Sequence, residues 1–175
     1  FDAGFYTLGF DIDEKKVRKL LRGESYISHI HADRLNKAIV EGTFHPTADF
    51  HRVKEVDAVI ICVPTPLKNG NQPDLSYIES TGKLIAPYLC KGQLIVLEST
   101  TYPGTTSEIL KPILENSGLE SGKDIFIAYS PEREDPGNPD FSTKSIPKII
   151  GGDGSFAVKL ASTMYNQIVI KTIPV

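Results

Sequence analysis

Glu132 and Arg133 stand side by side in YSPEREDPGN, Tyr129 to Asn138, directly after the apolar run DIFIAY. A carboxylate held where a strand ends can act as a general base. A guanidinium beside it can grip a phosphate or carboxylate through two parallel hydrogen bonds. A surface ion-pair loop would explain the same residues. ESTTYPGTT, Glu98 to Thr106, gathers Ser99, Thr100, Thr101, Thr105 and Thr106 at a strand-to-helix junction. Free backbone N–H groups and the helix dipole make such a corner suitable for an anion or cofactor. Capping would account for Thr105 or Thr106, but leaves Ser99 and Thr100 unexplained.

Two further strand ends carry polar or stiff residues. VPTPL, Val63 to Leu67, holds Thr65 between two prolines, which restrict the backbone around it. It reads either as a rigid ligand-facing turn or as a plain strand-ending turn. GFDID, Gly9 to Asp13, sets two carboxylates at the end of the first visible strand. In a dinucleotide fold an acidic residue at the end of the second strand binds the adenosine ribose and disfavours a 2′-phosphate. Asp11 fits that role, with Lys16 five residues later beside the adenosine. Alternatively, Asp13 caps the following helix and Asp11 is a solvated loop residue. Four neighbouring strands that each end in such a loop favour one shared cleft.

The elements that position these residues follow from hydrophobic period. Strands are expected over 6–11, 43–47, 58–63, 93–98, 125–129, 147–150 and 167–172, with helical spacing in 13–23, 31–42, 74–89, 105–118 and 154–165. Asp74 is placed to cap the third helix and Gly118 to end the fourth. Alternation of near-continuous apolar strands with helices predicts an α/β domain, doubly wound around a mostly parallel sheet. One domain of 175 residues is expected.

Composition excludes several classes. With 40% apolar and 23% charged residues, net charge −3 and pI near 5.8, the chain gives no electrostatic reason to bind nucleic acid or an anionic membrane. No apolar run reaches the roughly 20 residues of a membrane span. Cys62 and Cys90 have no metal-like spacing, so a reduced, cytoplasmic protein is expected, with both thiols packed or inert. Ser28-His29-Ile30-His31 lacks a third ligand at suitable spacing, and GGDGS, Gly151 to Ser155, reads as a turn into a helix. The abrupt start in a strand-like alternation reads as a fragment.

In this order, GFDID, VPTPL, QPDLSYIES, ESTTYPGTT and YSPEREDPGN resemble the UDP-glucose/GDP-mannose dehydrogenase family, and within it the branch acting on UDP-N-acetylglucosamine and UDP-N-acetylmannosamine. The resemblance covers nearly the whole chain. It implies a Rossmann-like NAD-binding domain over 1–175 that lacks its first strand and glycine-rich loop, with the sugar-nucleotide domain absent. The implied reaction is a four-electron oxidation of a sugar C6 alcohol to a carboxylate by two NAD⁺, through an aldehyde and a cysteine thioester. The implied site residues are Asp11 and Lys16 on the adenosine side, and Val63, Pro64, Thr65, Ser99 and Thr100 towards the nicotinamide. Thr100 would also position a water, Glu132 would activate it, and Arg133 would lie at the substrate. The resemblance further implies a homodimer formed through a helix beyond Val175, and a catalytic Cys, Lys and Asn outside the chain. On this reading the chain alone does not turn over. A two-electron hydroxyacid dehydrogenase would need the Lys but no Cys, and a non-catalytic nucleotide-binding module would need neither.

Overall fold

In the computed structural model, which describes residues 1–26, 30–68, 72–131 and 147–175, the apolar runs form strands and the amphipathic stretches helices. The chain divides into two units, Phe1–Arg52 and Val53–Val175. In the first, β1 (Thr7–Phe10) pairs in parallel with β2 (Phe44–Thr47), from Thr7 opposite Phe44 to Phe10 opposite Thr47. Between them run α1 (Glu14–Leu21), which buries Val17, and α2 (Ala32–Val40), which buries Leu35 and Ala38. Asp13 caps α1 by accepting the Lys15 amide at 2.8 Å. Glu14 in the first turn and Arg18 and Lys19 in the last complement the helix dipole.

The second unit is built on a five-stranded sheet. Its first strand is β3 (Ala58–Ile61); a hairpin of β4 (Leu67–Lys68) and β5 (Gln72–Pro73) and then α3 (Ser76–Ile85) precede β6 (Leu94–Leu97). After β6 come α4 (Lys111–Glu115), β7 (Phe126–Tyr129), β8 (Lys148–Gly152), α5 (Ser155–Tyr165) and β9 (Thr172–Pro174). The sheet order is β3-β6-β7-β8-β9, with β3, β6 and β7 mutually parallel and β8 antiparallel to β7. Every residue of β6 is buried. Leu94 and Val96 pack with Ala128, Ile150, Ala161, Tyr165 and Val169 on the α5 side. Ile95 and Leu97 point to the opposite face by strand alternation and are also buried. Helices therefore cover a mostly parallel sheet, the α/β architecture expected.

Local differences from the sequence expectation have local causes. The last strand is Thr172–Pro174 rather than 167–172, because the amides of Ile168 and Val169 both donate to the Tyr165 carbonyl at 2.8 Å and prolong the turning of α5. Val169 enters the core as an apolar residue of that turn, which is why its hydropathy imitates a strand. The fourth helix opens as a π-helix, Thr105–Leu110, in which the Lys111 amide reaches back five residues to Thr106. Pro112 explains it: proline has no N–H, and its ring would collide with the carbonyl four residues back, so the helix widens. Asp74 accepts the Ser76 amide at 2.9 Å at the start of α3 and pairs with Lys68 at 2.8 Å. Lys68, then Ser76, hold the Asp74 carboxyl down at about 2.

In GGDGS, Gly151 and Gly152 end β8, Asp153 and Gly154 make the turn and Ser155 opens α5; Gly152 is the tight point. A Cβ there would lie 3.0 Å from the Val158 amide nitrogen and 3.2 Å from Ala157 Cβ, so α5 packs onto β8 only over a bare glycine. Gly152→Ala is expected to cost about 1–3 kcal/mol, as overpacking does. Urea unfolding measures it, and an unchanged midpoint would contradict the packing argument.

Candidate functional site

Asp11 follows β1, and its Oδ1 accepts the Asp13 amide at 2.8 Å, a two-residue turn that fixes the carboxylate. Its Oδ2 lies 3.3 Å from Lys16 Nζ, and the Asp11 side chain is about one quarter exposed (24%). The Asp11 hydrogen bond, and then its charge, raise the Lys16 pKa. Thus Asp13 is the helix cap, and Asp11 is held by the Asp13 amide and Lys16 rather than being a solvated loop residue. Lys16 Nζ also sits 5.7 Å from the centre of the Tyr26 ring. Burial, then the Asp11 charge, push the Tyr26 hydroxyl up. Sequence reasoning did not select Tyr26, since no spacing rule connects it to Asp11. An ordered carboxylate with open lone pairs and an aromatic ring nearby can accept vicinal hydroxyls beside a flat base.

In the second unit, the segments after β3 and β6 are latched together. Ser99 Oγ accepts the Val63 amide at 3.2 Å and donates to the Val63 carbonyl at 2.8 Å. Thr65 Oγ1 donates to the Thr100 carbonyl at 2.7 Å. Pro64 and Pro66 stiffen the intervening backbone. Ser99 is buried and spends its hydroxyl on this latch, while Thr100 is exposed. The structure therefore brings Val63, Pro64, Thr65, Ser99 and Thr100 together at the carboxyl end of parallel strands, where α/β folds bind ligands. The latch leaves Thr100 as the hydroxyl presented outward.

A charged cluster that sequence reasoning missed is anchored on Glu98, two residues before Thr100. Glu98 Oε1 is 2.5 Å from Lys148 Nζ, and Tyr165 Oη donates to Glu98 Oε2 at 2.6 Å. Lys148 is only 2% exposed, stands at the start of β8 and pairs through its Nζ with Glu98. Burial, then the Glu98 charge, push the Tyr165 hydroxyl up, so it stays a donor. The available signal was a lone lysine opening the apolar run KII. Glu132 and Arg133 lie outside the described residues, as do Ser28 and His29. Cys62 and Cys90 are both exposed, so the expectation of packed thiols is corrected: each follows its strand or helix on the side open to solvent. A cavity of about 200 Å³ is lined by residues of 104–111, 127–129 and 152–153. It holds Thr106 of the ESTTYPGTT cluster but none of Asp11, Lys16, Val63, Pro64, Thr65, Ser99 or Thr100, and its lysine, Lys111, is paired with Asp153 at 2.8 Å. Among the described residues no group of three or more His, Cys, Asp or Glu is placed to hold a metal, and no helix is long and apolar enough to cross a membrane.

Comparison with known proteins points the same way. Residues 2–169 match the description "UDP-glucose/GDP-mannose dehydrogenase family, NAD binding domain". The UDP-N-acetyl-D-glucosamine 6-dehydrogenase of Pseudomonas aeruginosa is 34% identical over 164 residues, 93% of this chain and 38% of that protein. The UDP-N-acetyl-D-mannosamine dehydrogenase of Pyrococcus horikoshii is 35% identical over 95% of this chain and 40% of that protein. A solved structure of the UDP-D-ManNAc dehydrogenase from Pyrococcus horikoshii superposes with a TM-score of 0.91 at 34% identity, covering 99% of this chain and 42% of that one. The chain thus spans about two fifths of the length of the relatives it matches.

Proposed function

Because the chain belongs to the UDP-glucose/GDP-mannose dehydrogenase family, as its NAD-binding domain, we propose that the protein carrying it oxidises the C6 alcohol of a UDP-N-acetylhexosamine to the uronate. The alcohol and one water become a carboxylate, and four electrons pass as two hydrides to two NAD⁺. When bound, NAD supplies the hydride acceptor. The observation that supports the substrate class is the similarity to two UDP-N-acetylhexosamine dehydrogenases over more than nine tenths of the chain.

The residues present fit the cofactor. Asp11 takes the adenosine ribose hydroxyls and Lys16 lies beside them, held ready by their mutual bond. Val63, Pro64 and Thr65, latched to Ser99 and Thr100, form the wall facing the nicotinamide. Thr100 offers its hydroxyl to a water. Glu132 takes the proton from that water as it attacks the cysteine thioester, and Arg133 holds the substrate. Neither Cys62 nor Cys90 is assigned the thiol's role. Assay of the full-length protein with NAD and UDP-N-acetylglucosamine, UDP-N-acetylmannosamine, UDP-glucose and GDP-mannose tests this reading. Two NADH per UDP-N-acetylhexosamine consumed is the expected result. One NADH per sugar, or reaction with a hexose substrate alone, would overturn it.

Cofactor choice gives a separate prediction. The Asp11 carboxylate repels a 2′-phosphate, so kcat/KM with NAD should exceed that with NADP by about two orders of magnitude, the size expected of about 3 kcal/mol of differential binding. Asp11→Asn should narrow the gap mainly by improving NADP. Equal kcat/KM values in the parent protein would remove Asp11 from the ribose site.

A further inference from the structure

Lys148 is placed where charge is hard to justify by stability alone. A buried ion pair can usually be exchanged for apolar side chains of the same volume without loss of stability. Here the pair stands at the carboxyl end of β6 and β7, where the candidate site residues emerge. Lys148 Nζ contacts two segments at once: Glu98 Oε1 at 2.5 Å and the Pro131 carbonyl at 3.4 Å. Glu98 immediately precedes Ser99 and Thr100, and its own amide is tied to the Ile61 carbonyl at 2.8 Å. Pro131 is one residue beyond Ser130, whose hydroxyl donates to the Ile149 carbonyl at 2.9 Å. Tyr165 completes the arrangement, donating to the second Glu98 oxygen at 2.6 Å and offering its ring 5.0 Å from the ammonium. Both carboxylate oxygens are thus held, one by a charged donor, and the carboxylate cannot rotate without breaking a short bond.

We infer that Lys148 is a positioning residue: through Glu98 and the Pro131 carbonyl it ties the segment carrying Ser99 and Thr100 to the segment after β7, so that the two move together. The inference rests on the proposed dehydrogenase activity for its catalytic consequence, but not for its mechanical one. An ammonium suits this task because it has three donors on a compact charge and can serve two acceptors on different strands. The latch between Ser99 and Val63 then extends the tie to the segment after β3.

The test uses the full-length protein and three variants. Lys148→Met removes the charge, Lys148→Met/Glu98→Gln removes both charges and leaves no buried ion unpaired, and Tyr165→Phe removes one hydroxyl at constant volume. Two measurements are made: amide hydrogen exchange over 98–106 and 128–131 with α1 as control, and kcat and KM for NAD. In the double variant, exchange should rise on the order of tenfold in both segments together while α1 is unchanged. Its kcat should fall by about ten- to a hundredfold, as misplacement of a reacting group does, with KM for NAD moving much less. Tyr165→Phe should give the same pattern at smaller size, and it decides the matter if the Lys148 variants do not fold. Unchanged exchange, a change in one segment only, or kcat within about twofold of the parent overturns the tie. So does a uniform rise across 53–175 with kcat restored on cooling, which assigns Lys148 to stability alone. If the parent protein reduces no NAD with any nucleotide sugar, the proposed activity fails, and the exchange measurement still decides the tie.

Discussion

Replacing Glu132 by glutamine in the full-length protein is expected to leave both hydride transfers intact and to stop the reaction at the thioester. Glutamine keeps the size of the side chain and an acceptor oxygen but cannot take a proton. Loss of a general base lowers the rate on the order of 10²–10⁴, which makes hydrolysis the slow step. A rapid burst of two NADH per active site should therefore precede a very slow steady state. Intact-mass analysis after the burst should find the nucleotide sugar covalently attached. Arg133→Lys, by contrast, should act on substrate affinity, because an ammonium cannot reproduce the two parallel bonds of a guanidinium. If Glu132 were only part of a surface ion pair, turnover would be nearly unchanged. Parent-like kcat in Glu132→Gln, or a variant that fails before the first hydride transfer, would remove it from the hydrolytic role.

The architecture was legible because its signals are periodic. The apolar runs around Ala58–Ile61, Leu94–Leu97 and Phe126–Tyr129 are buried strands, and their parallel pairing follows from the helical stretches between them. The site was legible where side chains act through their own neighbours in sequence. Asp11 bonds the amide two residues on and the lysine five residues on, both within the GFDID stretch and the first turn of α1. It was illegible where the candidate site is held by contacts across the sheet. The Val63–Ser99 and Thr65–Thr100 bonds join residues 36 and 35 positions apart, and they make Ser99 and Thr65 into latches between the segments after β3 and β6. Lys148 and Glu98 are 50 positions apart, and neither motif announces the other. The failed strand over 167–172 has the same origin: Ile168 and Val169 are apolar because of where they pack, not because of an extended backbone.

Stability gives the second large effect, and it separates the buried pair from the surface ones. Arg18–Glu14 and Lys123–Glu120 are exposed, and breaking either should leave stability nearly unchanged. Lys148 is buried, so Lys148→Met strands the Glu98 carboxylate and should cost about 3–5 kcal/mol. Glu98→Gln strands the ammonium instead and should cost a similar amount. Since a domain of this kind has about 5–15 kcal/mol in all, either single change should lower the unfolding midpoint sharply. The double variant leaves no buried charge, and the amide oxygen introduced by Glu98→Gln can still accept from Tyr165. Its cost should fall short of the sum of the single costs by about 2 kcal/mol or more, a coupling of the size found for residues in direct contact. Added salt should leave that coupling almost unchanged, because mobile ions do not reach a buried pair. Urea unfolding of the four proteins, at low and at high salt, measures the cycle. Costs that add to within about 0.5 kcal/mol would mean the two side chains act independently, and the tie through Lys148 between the segments after β6 and β7 would be lost with them.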